Sequence, residues 1–139
     1  MKKTLLALFF AATSSYSLAA DQQQVTVTLA SASTMAQGMA MVLANQMQEQ
    51  GAQVDILLCD KAGDIALKGA TGEALKPNNV TPAQLLDGAL KKGATASVCA
   101  LYLPNTGHSA DDLRDGITAA NPATMGANLL EKNRKVIGF

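Results

Sequence analysis

The chain has 139 residues, 48% of them hydrophobic and 16% charged, with eleven basic side chains balancing eleven acidic ones. That balance excludes the basic patch of a nucleic-acid binder and the cationic surface that clings to anionic lipid. Tryptophan is absent, so stacking on sugars or bases has little to work with.

The first twenty residues read as an export leader. Lys2 and Lys3 form its basic start, Leu5–Ala12 its apolar stretch, and Ser17-Leu18-Ala19 a small-x-small cleavage signal. This predicts a signal peptide over 1–19, cleaved near Ala19/Ala20, and a single periplasmic domain over 20–139. The apolar stretch falls short of the roughly 20 residues that span a bilayer, and no later stop-transfer segment occurs, so no membrane span is expected after cleavage. Loss of Lys2 and Lys3 leaves nine basic against eleven acidic side chains, a net charge of −2.

The mature chain alternates strand and helix patterns. Val25–Ala30 is β-branched and alternating, which predicts a first strand. A helix follows, capped at Ser33 or Thr34 and stopped at Gly51, with Met35, Met39, Leu43 and Met47 every four residues as its inward face. Gln53–Cys59 is the second strand. One or two helical turns are expected over Ala62–Leu67, and the glycine- and asparagine-containing stretch 68–79 reads as a mobile loop beside a crevice. Thr81-Pro82 opens a helix to Lys92, with Leu85, Leu86, Ala89 and Leu90 buried and Gly93 as its stop. Ala96–Leu101 is the third strand, closed by the turn residues Pro104–Gly107. A short helix capped at Ser109 with Ile117 on its apolar side, a helix over Pro122–Leu130 with Met125, Leu129 and Leu130 inward, and a strand over Val136–Phe139 complete the pattern. The fold class is α/β: three layers, with a mostly parallel sheet of four to five strands in a flavodoxin-like arrangement.

Two cysteines carry the chemistry. Cys99 lies near the carboxyl end of the third strand, where open α/β sheets place their ligand crevice and neighbouring helix starts favour a thiolate. The alternative is that Cys99 is a small buried hydrophobe. Cys59, at the end of the second strand, is a structural or resolving thiol. With strands in the order 2-1-3, the two cysteines stand two strand spacings apart, about 9–10 Å. A disulfide needs Cα atoms within about 7 Å, so that order disfavours an intramolecular bond, whereas another order permits it. His108 is either an auxiliary that polarises Cys99 or a solvated turn residue. No third partner supports a hydrolytic Cys–His enzyme. The helical spacing of the methionines argues for packing over copper(I) binding, and no phosphate-binding glycine pattern supports a nucleotide. No cofactor or metal is expected.

The strand VTVTLA, the helix AQGMAMVLANQMQEQG, the strand VDILLCD, the block LLDGALKKGATASVC and the closing NRKVIGF occur in an order and spacing that resemble the DsrE/DsrF-like family. The resemblance covers nearly the whole mature chain. It implies a compact α/β fold, assembly into homo- or hetero-oligomers, and a cysteine that carries sulfane sulfur as a persulfide, a position matched here by Cys99. Implied partners are a sulfur donor or acceptor protein, or a small sulfur compound. Two functions follow: a persulfide carrier using Cys99, or a non-catalytic ligand-binding or assembly module on the same fold.

Overall fold

The computed structural model describes residues 22–139, so the expected leader over 1–19 lies outside the described residues. The elements are β1 (Gln24–Leu29), α1 (Thr34–Glu49), β2 (Gln53–Leu58), a 3-10 segment (Asp60–Ala66), α2 (Pro82–Lys91), β3 (Thr95–Val98), α3 (Tyr102–Thr106), a 3-10 turn (Ala110–Asp112), β4 (Ile117–Ala119), α4 (Pro122–Leu129) and β5 (Arg134–Gly138). All strand pairs are parallel, in the order β4-β3-β2-β1-β5. The α/β class stands, with a fully parallel sheet of five strands. The 2-1-3 order does not: β2 lies between β1 and β3. Strand order is set by which way each crossover travels, which local sequence patterns do not encode.

Steps from β1 to β4 run one way across the sheet, and the return from β4 to β5 runs the other way. Right-handed crossovers therefore put α1 and α2 on one face and α4 on the opposite one. On the first face Val25, Val27, Leu29, Val54, Ile56, Leu58, Ala96 and Val98 are buried against Ala40, Met41 and Ala44 of α1 and Ala83, Leu86 and Ala89 of α2. Cap residues fix where these helices begin. The Ser33 hydroxyl accepts from the Ala36 N–H, and Thr81 forms a reciprocal capping box with Gln84, satisfying amides that have no partner inside the helix.

The phase of α1 differs from expectation. Its buried residues are Gln37, Gly38, Ala40, Met41 and Ala44, whereas Met35 and Met39 are 74% and 54% exposed and Leu43 is also exposed. A small residue lets the helix backbone approach the 68–79 loop closely. At Gly38 an added Cβ would strike the Leu75 side chain. That loop is anchored rather than free: Leu75 and Val80 exchange backbone hydrogen bonds of 2.8 and 3.3 Å.

The opposite face is only partly covered. α4 contains no buried residue, and Leu130, expected inward, is 86% exposed, while Met125 and Leu129 are half-buried. Ile117 belongs to β4 and not to a helix. Where α4 does not reach, charge fills in. The guanidinium of Arg134, its side chain 6% exposed, pairs with Asp55 and Glu131 and donates to Thr26 Oγ1 at 3.0 Å. Burial opposes its charge, but hydrogen bonds and charge from Asp55 and Glu131 outweigh that and raise its pKa.

Candidate functional site

The register of β2 and β3 brings the two cysteines together. Leu58 pairs with Val98, so the next residues of each strand, Cys59 and Cys99, stand side by side. Their Cα atoms are 5.1 Å apart and their sulfurs are joined in a disulfide. Adjacency of β2 and β3 thus removes the geometric objection raised by the 2-1-3 order. Both residues still belong to the backbone ladder: the Cys59 N–H donates to Leu29 O at 2.9 Å and the Cys99 N–H to Leu58 O at 2.7 Å. Both are half-buried at the carboxyl rim of the sheet. Cys99 is neither a sealed hydrophobe nor a free thiol.

The two halves of the cystine have different surroundings. Cys99 packs against the hydrophobic core. Cys59 borders a hollow of about 360 Å³ lined by Thr28, Leu29, Ala30, Leu57, Gly138 and Phe139, none of which carries a charged side chain. Phe139 is held there because its N–H donates to Thr28 O at 2.9 Å and its carbonyl accepts from the Ala30 N–H at 3.1 Å.

A second, larger space lies over the same end of the sheet. This cleft of about 810 Å³ runs between the start of α1, the 3-10 segment, the start of α2 and the end of α3, and its walls include Gln37, Lys61, Lys68, Thr81 and His108. The 68–79 loop contributes residues 68–72, so its expected place beside a crevice holds.

His108 faces this cleft and not the sulfurs. Its ring stacks on Tyr102, with centroids 6.3 Å apart and planes 20° from parallel, and its Nδ1 lies 3.7 Å from Asp112 Oδ2. Among the described residues it makes no hydrogen bond to either cysteine. The Tyr102 hydroxyl donates to Asp64 Oδ1 at 2.8 Å. Burial, then the bond to and charge of Asp64, hold its phenol far above the ordinary tyrosine range. Tyr102 is thus a protonated strut that ties α3 to the 3-10 segment, pressed on Gly63, where any Cβ would enter its ring.

Leu57, Phe139, Tyr102 and Asp64 do not stand out in the sequence as site residues. Phe139 and Tyr102 carry one signal, being the only Phe, Tyr or Trp residues after position 20. The exposed methionines of α1 have no cluster of ligating groups beside them: among the described residues no three His, Cys, Asp or Glu side chains gather as a metal site. Nor, among those residues, is any helix long and apolar enough to cross a membrane.

No protein-family model matches the chain, and no curated protein matches it in sequence. Solved structures do match in shape. The ychN protein from E. coli superposes with a TM-score of 0.71 at 19% identity, covering 85% of this chain and all of that one. Protein MTH1491 from Methanobacterium thermoautotrophicum, described as of unknown function, gives 0.62 at 9% identity over 85% of this chain and all of that one. BT1422 from Bacteroides thetaiotaomicron, a conserved protein of unknown function, gives 0.63 at 15% identity over 84% and 95%. The chain has a DsrE-like fold.

Proposed function

We propose that the protein is a periplasmic thiol–disulfide protein of a sulfur relay, with Cys59 and Cys99 as its working pair. The observation that carries this reading is the cystine itself, half-exposed at the carboxyl ends of two adjacent central strands, where open α/β sheets hold their ligands. A disulfide is also what an exported chain keeps in an oxidising compartment, in line with the leader over 1–19.

A resting cystine accepts sulfur without a separate oxidant. Hydrosulfide or a thiolate attacks one sulfur with its lone pair, and the S–S bond breaks with its electron pair going to the other cysteine. A persulfide or mixed disulfide and one thiolate result. The incoming sulfur is oxidised and the departing cysteine reduced. Donor and acceptor are a protein thiol or a small sulfur compound. The exposed stripe of Met35, Met39, Val42 and Leu43 supports self-association into a homo-oligomer.

Intact-mass analysis of oxidised protein treated with hydrosulfide tests the reading. Wild type should gain a dithiothreitol-sensitive sulfur, about 32 mass units above the dithiol form. Cys59→Ser and Cys99→Ser, each lacking the cystine, should gain none. An inert wild-type disulfide would leave the pair purely structural.

The 810 Å³ cleft favours a second reading, a small-ligand-binding module of the same fold. A double cysteine variant that folds and keeps its biological activity would decide for it.

A further inference from the structure

We infer that sulfur enters on Cys59, through the hollow beside it, whose lining side chains carry no charge, with Cys99 as the leaving thiolate, and that the hollow selects thiols or persulfides with an apolar, uncharged tail. This rests on the relay reading above and assigns its entry point, reversing the acceptor role that the sequence gives to Cys99.

Three observations carry it. Attack on a disulfide proceeds along the S–S axis, from the side opposite the leaving sulfur, so the attacked sulfur must face open space. Cys59 meets that condition, since it borders the hollow, whose lining does not include Cys99, while Cys99 packs against the core.

Topology supplies the second. β1 sits between β2, reached through α1 on one face, and β5, reached through α4 on the other. The strand order therefore reverses at the β1–β5 border, and doubly wound sheets bind ligands outside the carboxyl ends of strands at such a reversal. Leu29 and Ala30, at the end of β1, and Gly138 and Phe139, at the end of β5, line this hollow. The cystine thus borders the fold's switch point, with Cys59 as its nearer half.

The third is chemical. The walls include Leu29, Leu57 and Phe139, with Thr28 as the one residue bearing a hydroxyl. Nothing there would neutralise a sulfonate or carboxylate tail, and burying an unpaired charge is costly. A volume of about 360 Å³ suits a small molecule. The step balances: the thiolate R–S⁻ bonds to Cys59 Sγ, the Cys59–Cys99 bond breaks, and Cys99 departs as the thiolate. Hydrosulfide in place of R–S⁻ leaves the persulfide on Cys59.

The test uses the oxidised, purified protein and two thiols of similar basicity, benzyl mercaptan and 2-mercaptoethanesulfonate. Reactions quenched at early times with N-ethylmaleimide are digested and mapped. The first trapped adduct should be the mixed disulfide on Cys59, with maleimide on Cys99, and benzyl mercaptan should react faster. Phe139→Ala should slow benzyl mercaptan about fivefold, the loss of one aromatic contact, and leave 2-mercaptoethanesulfonate unchanged. Leu57→Ala serves as a second wall variant, and the sulfonate rate reports folding in both, since a loosened protein would expose its disulfide to either thiol. An adduct appearing first on Cys99, or equal rates for both thiols, would overturn the assignment while leaving the pair reactive. No reaction with hydrosulfide or either thiol would remove the relay reading beneath it.

Discussion

The two faces of the sheet solve the same problem in opposite ways. Parallel strands normally need both faces covered. The α1/α2 face does this with aliphatic side chains and small helix residues, and Val27, Val54, Leu58, Met41 and Leu86 have no exposed surface. The α4 face does it with one short helix that has no fully buried residue and with the Arg134–Asp55–Thr26 cluster. The first face supplies stability. The second leaves space at its rim, and that is where the hollow beside Cys59 opens. Stability and access to the sulfur are divided between the faces.

The largest effect expected bears on the cystine at the rim of the sheet. Replacing both cysteines by serine removes a cross-link closing a 40-residue loop, worth about 4 kcal/mol at most in the chain-entropy picture. Urea denaturation of the double variant measures it, and a loss well above that would mean that the rim packs on the cystine as a core. On the sealed face, Leu86→Ala should cost about 3 kcal/mol. Val136→Ala, on the half-exposed β5, should stay within about 0.5 kcal/mol. Equal losses at the two positions would erase the contrast. Asp55→Asn should cost about 2 kcal/mol, because Arg134 stays buried with only Glu131 to balance it, and breaking a buried pair is worse than lacking one.

The stripe on α1 gives a prediction about assembly. Met39→Lys should leave the unfolding midpoint within the usual surface range of about 0.5 kcal/mol while shifting the mass measured by light scattering toward the monomer. The smallest effect is one of pH. The backbone N–H of Ser109, then its hydroxyl, hold the Asp112 carboxyl below its ordinary pKa. A depressed carboxylate stabilises the fold above its unfolded-state pKa, and that contribution disappears as pH falls through the folded-state value. The denaturation midpoints of wild type and Asp112→Asn should therefore differ slightly at neutral pH and converge below the carboxylate range.

Much of this architecture is legible in the chain. Caps at Ser33 and Thr81, stops at Gly51 and Gly93, and the strand patterns of β1 and β2 are local signals, and the structure has each element where they place it. What failed was non-local. The spacing of Met35, Met39, Leu43 and Met47 makes them the expected inward face of α1, because large apolar side chains usually turn inward, yet of the four only Met47 packs against the core. The helix instead buries Gly38, Ala40, Met41 and Ala44, and at Gly38 the Leu75 side chain comes too close for any larger group. β4 is only three residues of edge strand and offers too short a pattern to read. The cysteines were individually visible, but their pairing depended on β2 and β3 being neighbours, which only the assembled sheet decides. His108 looked available to the sulfur, yet Tyr102 and Asp112 occupy it.

Gly38 and Leu75 have a consequence for how this chain can vary. The loop tip uses the bare backbone of α1 as a socket, and a methyl group at 38 would overlap the leucine seated there. The two positions are therefore expected to be coupled: a relative with alanine at the first should carry a shorter side chain at the second, or a loop trimmed to stand further off. Double-mutant stability measurements on Gly38→Ala and Leu75→Ala should be strongly non-additive, the second change offsetting part of the first.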